Sequence, residues 1–198
     1  MFGKKINIAV TGGVGCGKST VLKWFADNGF AVVSADAVCH DALDRPEILD
    51  ALTKRWGQAC VVENFNGGKA DRKWIAGRVF KNPAELDFLT GVLYPVVKKR
   101  LADFCAGKCD GGAAAGKKFR AAEVPLLFES GMETMFDYTV CVWAPECRSA
   151  GLADRSALQL PVGRKLELSD FALINNDGLD QLYRQCAALA DQIDNMVV

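Results

Sequence analysis

The chain has no excess of charge, one histidine and no long apolar run. Lys plus Arg equals Asp plus Glu, at 24 residues each among 198, so there is no broad basic field to hold a nucleic-acid backbone. No apolar stretch approaches the roughly 20 residues that cross a bilayer. Residues 1–9 lead into an apolar run without a cleavable signal pattern. These absences predict a cytoplasmic protein whose main partner is neither a nucleic acid nor a membrane.

The sequence also lacks a disulfide framework and a cluster of metal ligands. Its eight cysteines are scattered, and its single histidine is His40. Cys105 and Cys109 form the closest pair, but no second pair follows at the spacing of a zinc site. We therefore expect reduced thiols, as is usual in the cytosol.

What the sequence does contain is a glycine-rich run at residues 12–19, Gly-Gly-Val-Gly-Cys-Gly-Lys-Ser, which fits the pattern G-x-x-x-x-G-K-[ST]. The run lies between an apolar strand-like stretch, 6–11, and a helix-like stretch that begins at Lys18. Such a loop surrounds nucleotide phosphates with backbone N–H groups at the positive end of a helix. The pattern predicts a nucleotide site formed by Gly13, Gly15, Cys16, Gly17, Lys18, Ser19 and Thr20.

Three side chains of this loop carry specific predictions. Lys18 is expected to reach the β- and γ-phosphates, and Ser19 to bind Mg²⁺, so the expected ligands are a nucleoside triphosphate and Mg²⁺. The thiol of Cys16 either ionises readily beside the helix N-terminus or belongs to a small residue that the loop tolerates. The sequence leaves both interpretations of Cys16 open.

Short β-rich runs alternate with helical patterns, which predicts an α/β fold: a parallel sheet of about five strands in a three-layer α/β/α arrangement. Strands are predicted at 6–11, 30–34, 119–127, 138–143 and 171–174. Helices are predicted at 18–28, 48–56, 72–80, 83–93 and 96–104, with Asp71 and Asn82 as N-caps. The predicted domains are a nucleotide-binding core (1–40, 116–145 and 170–198), a helical acceptor-binding insertion (41–105) and a short lid (146–169).

Asp36 follows the second predicted strand. Ligands of doubly wound sheets bind beyond the carboxyl ends of the strands, where a carboxylate can accept or orient the proton of an acceptor hydroxyl. The alternative role of Asp36 is to cap a helix that begins at Ala37. An Asn-Lys-x-Asp element for reading guanine is absent from the sequence. The combination favours a small-molecule kinase over a GTPase switch.

Several motifs, in this order and spacing, resemble the dephospho-coenzyme A kinase family. They are residues 10–20, Ala35-Asp36 with His40, Asp71-Arg72 with Val79-Phe80, residues 94–97, Val-Pro-Leu-Leu-Phe-Glu at 124–129, and Ile-Asn-Asn at 174–176. The resemblance implies a P-loop kinase that transfers the γ-phosphoryl group of ATP to the ribose 3′-hydroxyl of dephospho-coenzyme A, a small-molecule partner. We expect a monomer.

The same resemblance implies roles for individual residues. Asp36 would be the base or hydroxyl positioner, while Lys18 and a lid arginine, Arg148 or Arg155, would stabilise charge; we assign that role to Arg155. The residues implied in acceptor binding are Arg72, Tyr94 and Leu127. Asn175 would lie near the adenine, and Glu123 would contact Mg²⁺ through water.

Each of the less specific assignments has a structural alternative. Arg72 could pair with a surface carboxylate, Tyr94 could belong to the core, Asn175 could be a turn residue before Gly178, and Glu123 could be solvated at a strand edge.

The chain departs from the family pattern at two places. The family usually has His-Pro where this sequence has Tyr94-Pro95, and the lid is shorter, with Pro161 and Gly163 interrupting its expected helix. A shorter lid excludes water less well, which favours slow turnover or ATP hydrolysis. The competing functions are another small-metabolite or nucleoside (monophosphate) kinase and a nucleotide-binding protein without catalysis.

Overall fold

The computed structural model describes residues 5–62, 68–108, 116–145 and 159–196. The chain divides into two compact units, one formed by Met1–Ala35 with Leu101–Val198 and the other by Asp36–Arg100. The strands are β1 (Ile6–Gly12), β2 (Ala31–Ser34), β3 (Val61–Val62), β4 (Lys69–Ala70), β5 (Phe119–Glu123), β6 (Tyr138–Trp143) and β7 (Phe171–Ile174). The helices are α1 (Lys18–Asp27), α2 (Ala35–Leu43), α3 (Pro46–Trp56), α4 (Arg72–Val79), α5 (Pro83–Cys105), α6 (Val162–Leu168) and α7 (Leu179–Met196).

The first unit is built on a five-stranded parallel sheet in the order β2-β5-β1-β6-β7. The central strand β1 pairs with both β5 and β6, so that Ile8 lies opposite Ala121 on one side and Tyr138 on the other. Because helices cover both faces, β1 has an almost continuous apolar sequence rather than an alternating one. Its flanking core includes Phe25 of α1 and Leu182 of α7, both fully buried. The sheet therefore holds the residues after β1 at the edge where all five strands end.

The second unit is mainly helical and has its own apolar core, which includes Leu52, Ile75, Val79 and Leu93. A small antiparallel hairpin, β3 with β4, lies between α3 and α4. Asp71 caps α4 by accepting the N–H of Trp74 at 2.9 Å, and Asn82 accepts the N–H of Ala84 at 3.1 Å at the start of α5. Both predicted caps are confirmed.

The predicted α/β fold with a parallel sheet of about five strands is confirmed. One predicted strand, 119–127, is too long, because β5 ends at Glu123. Pro125 has no N–H to continue the ladder, and the chain turns over residues 125–131 instead. The predicted helices 83–93 and 96–104 are also wrong as separate elements, since α5 continues through Pro95.

Most of the predicted lid, residues 146–158, lies outside the described residues. Within the described part of the chain, none of the helices combines the length and the apolar character needed to span a membrane. The assignment of acceptor binding to the helical insertion stays a prediction.

Glu85 is a buried carboxylate at the centre of a polar cluster in the second unit. It accepts a hydrogen bond from Trp56 Nε1 at 2.6 Å and one from Arg55 Nε at 3.2 Å, and Arg78 Nη2 lies 3.5 Å away. The hydrogen bond from Trp56 is the main cause that holds the pKa of Glu85 below its ordinary value of 4.5; burial opposes it, and the two arginines assist it. The cluster therefore stabilises the second unit only while Glu85 is ionised.

We expect Glu85→Gln to remove a pH-dependent part of the stability. Because the folded-state pKa is lowered, the stabilisation by Glu85 is present above pH 4.5 and is lost as the pH falls below it through the folded-state pKa. The urea midpoint of the unaltered chain should then fall more between pH 7 and about pH 3 than that of the variant. Glu47→Gln is the matched control. Glu47 is exposed, and its ion pair with Arg45, at 3.8 Å, is long, so its loss should change stability little at any pH. Parallel pH profiles for Glu85→Gln and the unaltered chain would contradict the prediction.

Candidate active site

The glycine-rich loop joins β1 to α1 at the carboxyl edge of the sheet. Gly12 has φ +141, and a Cβ there would lie 2.2 Å from the carbonyl oxygen of Val142 in β6. Gly17 immediately before α1 has φ +97, in the left-handed region. Neither position accepts another residue without strain, so the sequence pattern is required by the backbone path. The path brings the loop N–H groups to the N-terminus of α1, where anions bind favourably.

Lys18 is the first residue of α1 and lies over the loop. Its Nζ donates to the carbonyl of Gly13 at 2.7 Å, and its side chain is almost fully buried. Ser19 is exposed and Thr20 is half-buried. Cys16 is fully buried and belongs to the core cluster of the first unit. The backbone N–H of Cys16 donates to the carbonyl of Gly13 at 3.4 Å. Its thiol packs inside the first unit, which favours the interpretation of a small tolerated residue.

Asn175 holds the loop from the other side. It follows β7, where its own N–H donates to the carbonyl of Trp143 at 2.7 Å. Its side-chain Nδ2 donates to the carbonyl of Cys16 at 3.1 Å, and this amide nitrogen lies 2.6 Å from where a Cβ on Gly17 would stand. The structure thus assigns Asn175 a contact with the phosphate loop that neither sequence interpretation contained. Its predicted position near the adenine stays a prediction.

We expect Asn175→Asp to raise the KM for ATP about three- to tenfold, because an aspartate of the same shape cannot donate to the carbonyl of Cys16. Asn175→Ala should have a similar effect. Asn176→Asp, at the exposed neighbouring position, adds the same charge without this contact and is the control. Steady-state kinetics at varied ATP measure the effect, and an unchanged KM in Asn175→Asp would show that the loop does not need the bond.

Glu123 is the last residue of β5, directly beside β1. In the sheet it lies opposite Val10 on one side and Ser34 of β2 on the other. Its side chain is half-buried. The parallel register therefore places this carboxylate at the same edge as the start of the phosphate loop. Its contact with Mg²⁺ and the alternative, a carboxylate solvated at the end of the strand, both stay predictions.

Asp36 is the second residue of α2, which starts at Ala35 immediately after β2. The proposed alternative, an N-cap for a helix beginning at Ala37, is therefore wrong. The Asp36 side chain is exposed. One helical turn later, burial and secondarily the charge of Asp36 raise the pKa of the Cys39 thiol to about 11. The Cys39 thiol is thus uncharged at neutral pH.

Arg72 begins α4 and belongs to the second unit. Its Nη2 donates to the Asp44 carboxylate at 3.2 Å and to the carbonyl of His40 at 3.2 Å. The predicted alternative, a pair with a carboxylate, is therefore present in the structure. Half of the guanidinium side chain is still exposed, at 48%. It lines a cavity of about 350 Å³ whose other polar side chains come from Asp44, Lys69 and Asp71.

The comparison with known proteins agrees with this arrangement. The sequence model of the dephospho-CoA kinase family matches residues 6–181, which includes the phosphate loop, Asp36, Arg72 and Asn175. This chain belongs to the dephospho-CoA kinase family. The resemblance inferred from the motifs is confirmed.

Individual dephospho-CoA kinases are similar over nearly the whole chain. The chain is 29% identical over 201 residues to the Rhodopseudomonas palustris dephospho-CoA kinase, with 96% of each protein covered. It is 31% identical over 199 residues to that of Deinococcus radiodurans, covering 94% of this chain and 92% of the relative. The solved dephospho-CoA kinase of Campylobacter jejuni shares the fold, with a TM-score of 0.73 at 23% identity and coverage of 97% and 98%. Family membership means that ATP is the phosphoryl donor.

The roles that the dephospho-CoA kinase resemblance implied for Leu127, Tyr94 and Arg155 stay predictions. Leu127 is fully buried, so its side chain is not presented to a ligand, and a substrate contact through it stays a prediction. Tyr94 is half-buried within α5. Arg155, like Arg148, lies outside the described residues.

The ion pair between Lys165 and Glu129 was not predicted from the sequence. Lys165 is fully buried, and its Nζ lies 2.9 Å from Glu129. Glu129 lies within the motif at 124–129, whereas none of the motifs that carry the resemblance contains Lys165. Burial of a lysine is uncommon enough that no local pattern predicts it.

Proposed function

We propose that this chain phosphorylates the ribose 3′-hydroxyl of dephospho-coenzyme A at the expense of ATP, giving coenzyme A and ADP. The observation that carries the proposal is the family match over residues 6–181, which includes an intact phosphate loop. We further propose that ATP and the acceptor are the only partners needed for the reaction, and that the chain works as a monomer in the cytoplasm.

In this proposal the phosphate loop binds the triphosphate through its N–H groups, and Lys18 neutralises charge that develops on the transferred group. To do so, Lys18 must give up its hydrogen bond to the carbonyl of Gly13. A hydrogen bond to a phosphate oxygen can replace it. Asp36 accepts or orients the proton of the acceptor hydroxyl. Arg155 would add a further positive charge at the transferred group. Arg72 and Tyr94 bind the acceptor, with Leu127 as a third candidate.

The residues present also fit Mg²⁺. Mg²⁺ bound to nucleotide phosphates takes only one or two oxygen ligands from the protein and keeps several waters. Ser19 offers an exposed hydroxyl and Glu123 a carboxylate at the sheet edge. Among the residues that the structure describes, no group of three or more His, Cys, Asp or Glu could form a metal cage. When bound, Mg²⁺ would neutralise phosphate charge, with Ser19 as a direct ligand and Glu123 acting through water.

An acceptor panel tests the proposal. ADP formation is measured with dephospho-coenzyme A, a nucleoside, a nucleoside monophosphate and no acceptor, all at equal ATP and Mg²⁺. We expect dephospho-coenzyme A alone to stimulate ADP formation well above the no-acceptor rate. Stimulation by the nucleoside or its monophosphate instead would replace the proposed acceptor, and ATP binding without any stimulation would favour a nucleotide-binding protein without catalysis.

A further inference from the structure

The side chain of Lys165 is fully buried. Its ammonium group makes two polar contacts within the first unit. Its Nζ forms an ion pair with Glu129 Oε1 at 2.9 Å and donates to the carbonyl of Pro125. Glu129 Oε1 also accepts the N–H of Leu160 at 2.7 Å. The side chains of Lys165 and Glu129 therefore join helix α6 to the segment 124–131 that follows β5.

The carbonyl of Pro125 accepts hydrogen bonds from two other elements of the first unit. It accepts Lys165 Nζ from α6 and, at 3.4 Å, the hydroxyl of Thr11 at the end of β1. One residue earlier, the N–H of Val124 donates to the carbonyl of Val10 at 2.9 Å. Glu123 is the residue before Val124, and the phosphate loop begins directly after Thr11.

Stability alone is a weak reason for such a pair. Replacing a buried ion pair by apolar residues of similar volume is often neutral or stabilising, because both ions must leave water. The pair instead fixes the geometry of the backbone. The charged donor Lys165 sets the orientation of the Pro125 carbonyl, and this orientation sets the path of the chain after β5.

We propose that Lys165 and Glu129 are positioning residues for phosphoryl transfer, which hold the exit of β5 against the end of β1 so that Glu123 and the phosphate loop keep their spacing. Neither side chain contacts the reacting atoms. The inference rests on the proposed function, and it adds two residues whose effect is exerted through Pro125.

The test compares Glu129→Gln, Lys165→Met and the double variant with the unaltered chain. Glu129→Gln keeps the shape and an acceptor for Leu160 but removes the charge. We expect kcat to fall about tenfold in Glu129→Gln and about a hundredfold in Lys165→Met, as for misplacements of about 1 Å. The Mg²⁺ concentration for half-maximal rate should rise in both, while the KM for dephospho-coenzyme A stays unchanged. The double variant should lose no more than Lys165→Met alone, because the two residues act as one unit.

Arg164→Met is the matched control. Arg164 precedes Lys165 on α6 and, among the residues that the structure describes, pairs with the exposed Glu167 on the same helix. Its loss should therefore leave kcat and the Mg²⁺ dependence unchanged. All rates are divided by the folded fraction from near-UV circular dichroism. If Lys165→Met unfolds, Glu129→Gln carries the test.

A second measurement needs no substrate. Amide hydrogen exchange in the segment 124–131 should be faster in Glu129→Gln than in Arg164→Met. Unchanged kcat per folded molecule, unchanged exchange in this segment, or multiplicative losses in the double variant would each overturn the inference. If the unaltered chain made no coenzyme A, the proposed function would fail, and the exchange measurement would still decide whether the pair holds the segment.

Discussion

Asp36→Asn should lower the rate of phosphoryl transfer to dephospho-coenzyme A by about a hundred- to ten-thousandfold, the range for loss of a general base. Asparagine keeps the size and polarity of the side chain but cannot take a proton at neutral pH. Asp36 is exposed and lies in the first turn of α2, directly after β2, so the change should not disturb the core. Affinity for ATP should remain, because the phosphate loop is untouched.

The matched control for this prediction is Asp41→Asn, which changes an exposed aspartate on the same helix. Its turnover should equal that of the unaltered chain. Initial rates of coenzyme A formation at saturating ATP measure both variants. A rate within about threefold of normal in Asp36→Asn would remove the base role from this carboxylate, since even a weak base contributes more than that.

The second large effect is expected at Lys18. Lys18→Met keeps the aliphatic stem but removes the charge that now lies 2.7 Å from the carbonyl of Gly13. Loss of one charge-stabilising donor costs about a hundred- to a thousandfold in kcat. ATP affinity should fall as well, because we propose that the same ammonium also contacts the phosphates before the reaction. This joint loss of affinity and rate distinguishes Lys18 from Asp36, whose loss affects the rate alone.

Lys23→Met is the control on the same helix. Lys23 is exposed and pairs with Asp27 one turn away at 2.6 Å, a contact that contributes little. Both affinity, by titration with ATP, and kcat should be normal in this variant. If Lys18→Met bound ATP as tightly as the control, the lysine would not be a ligand of the phosphates.

Much of the fold could be predicted because local pattern and tertiary structure agree. The strands at 138–143 and 171–174 have the predicted bounds, and the first helix begins at Lys18 as expected. The long helix α5 was not predicted as one element because Pro95 removes a backbone donor. Its apolar stripe nevertheless continues across the proline through Leu93, Val97, Leu101 and Phe104, all buried. Burial along the whole stripe outweighs the local cost.

The candidate site likewise has a part that the sequence could predict and a part that it could not. The phosphate loop could be predicted because its chemistry is contained in eight consecutive residues. The contact of Asn175 with Cys16 joins residues 159 positions apart, and no local pattern predicts a bond of that kind. The hairpin of β3 and β4 was missed because two residues in each strand are too few to show alternation.

The family match points to one product, coenzyme A. Purified protein is incubated with ATP, Mg²⁺ and dephospho-coenzyme A, and the product is identified by mass and by the position of its new phosphate, with Asp36→Asn and no-acceptor reactions in parallel. We expect coenzyme A phosphorylated at the 3′-hydroxyl, formed in step with ADP and absent from both controls. ATP binding without coenzyme A formation, or ADP formation that does not depend on the acceptor, would contradict the proposed function.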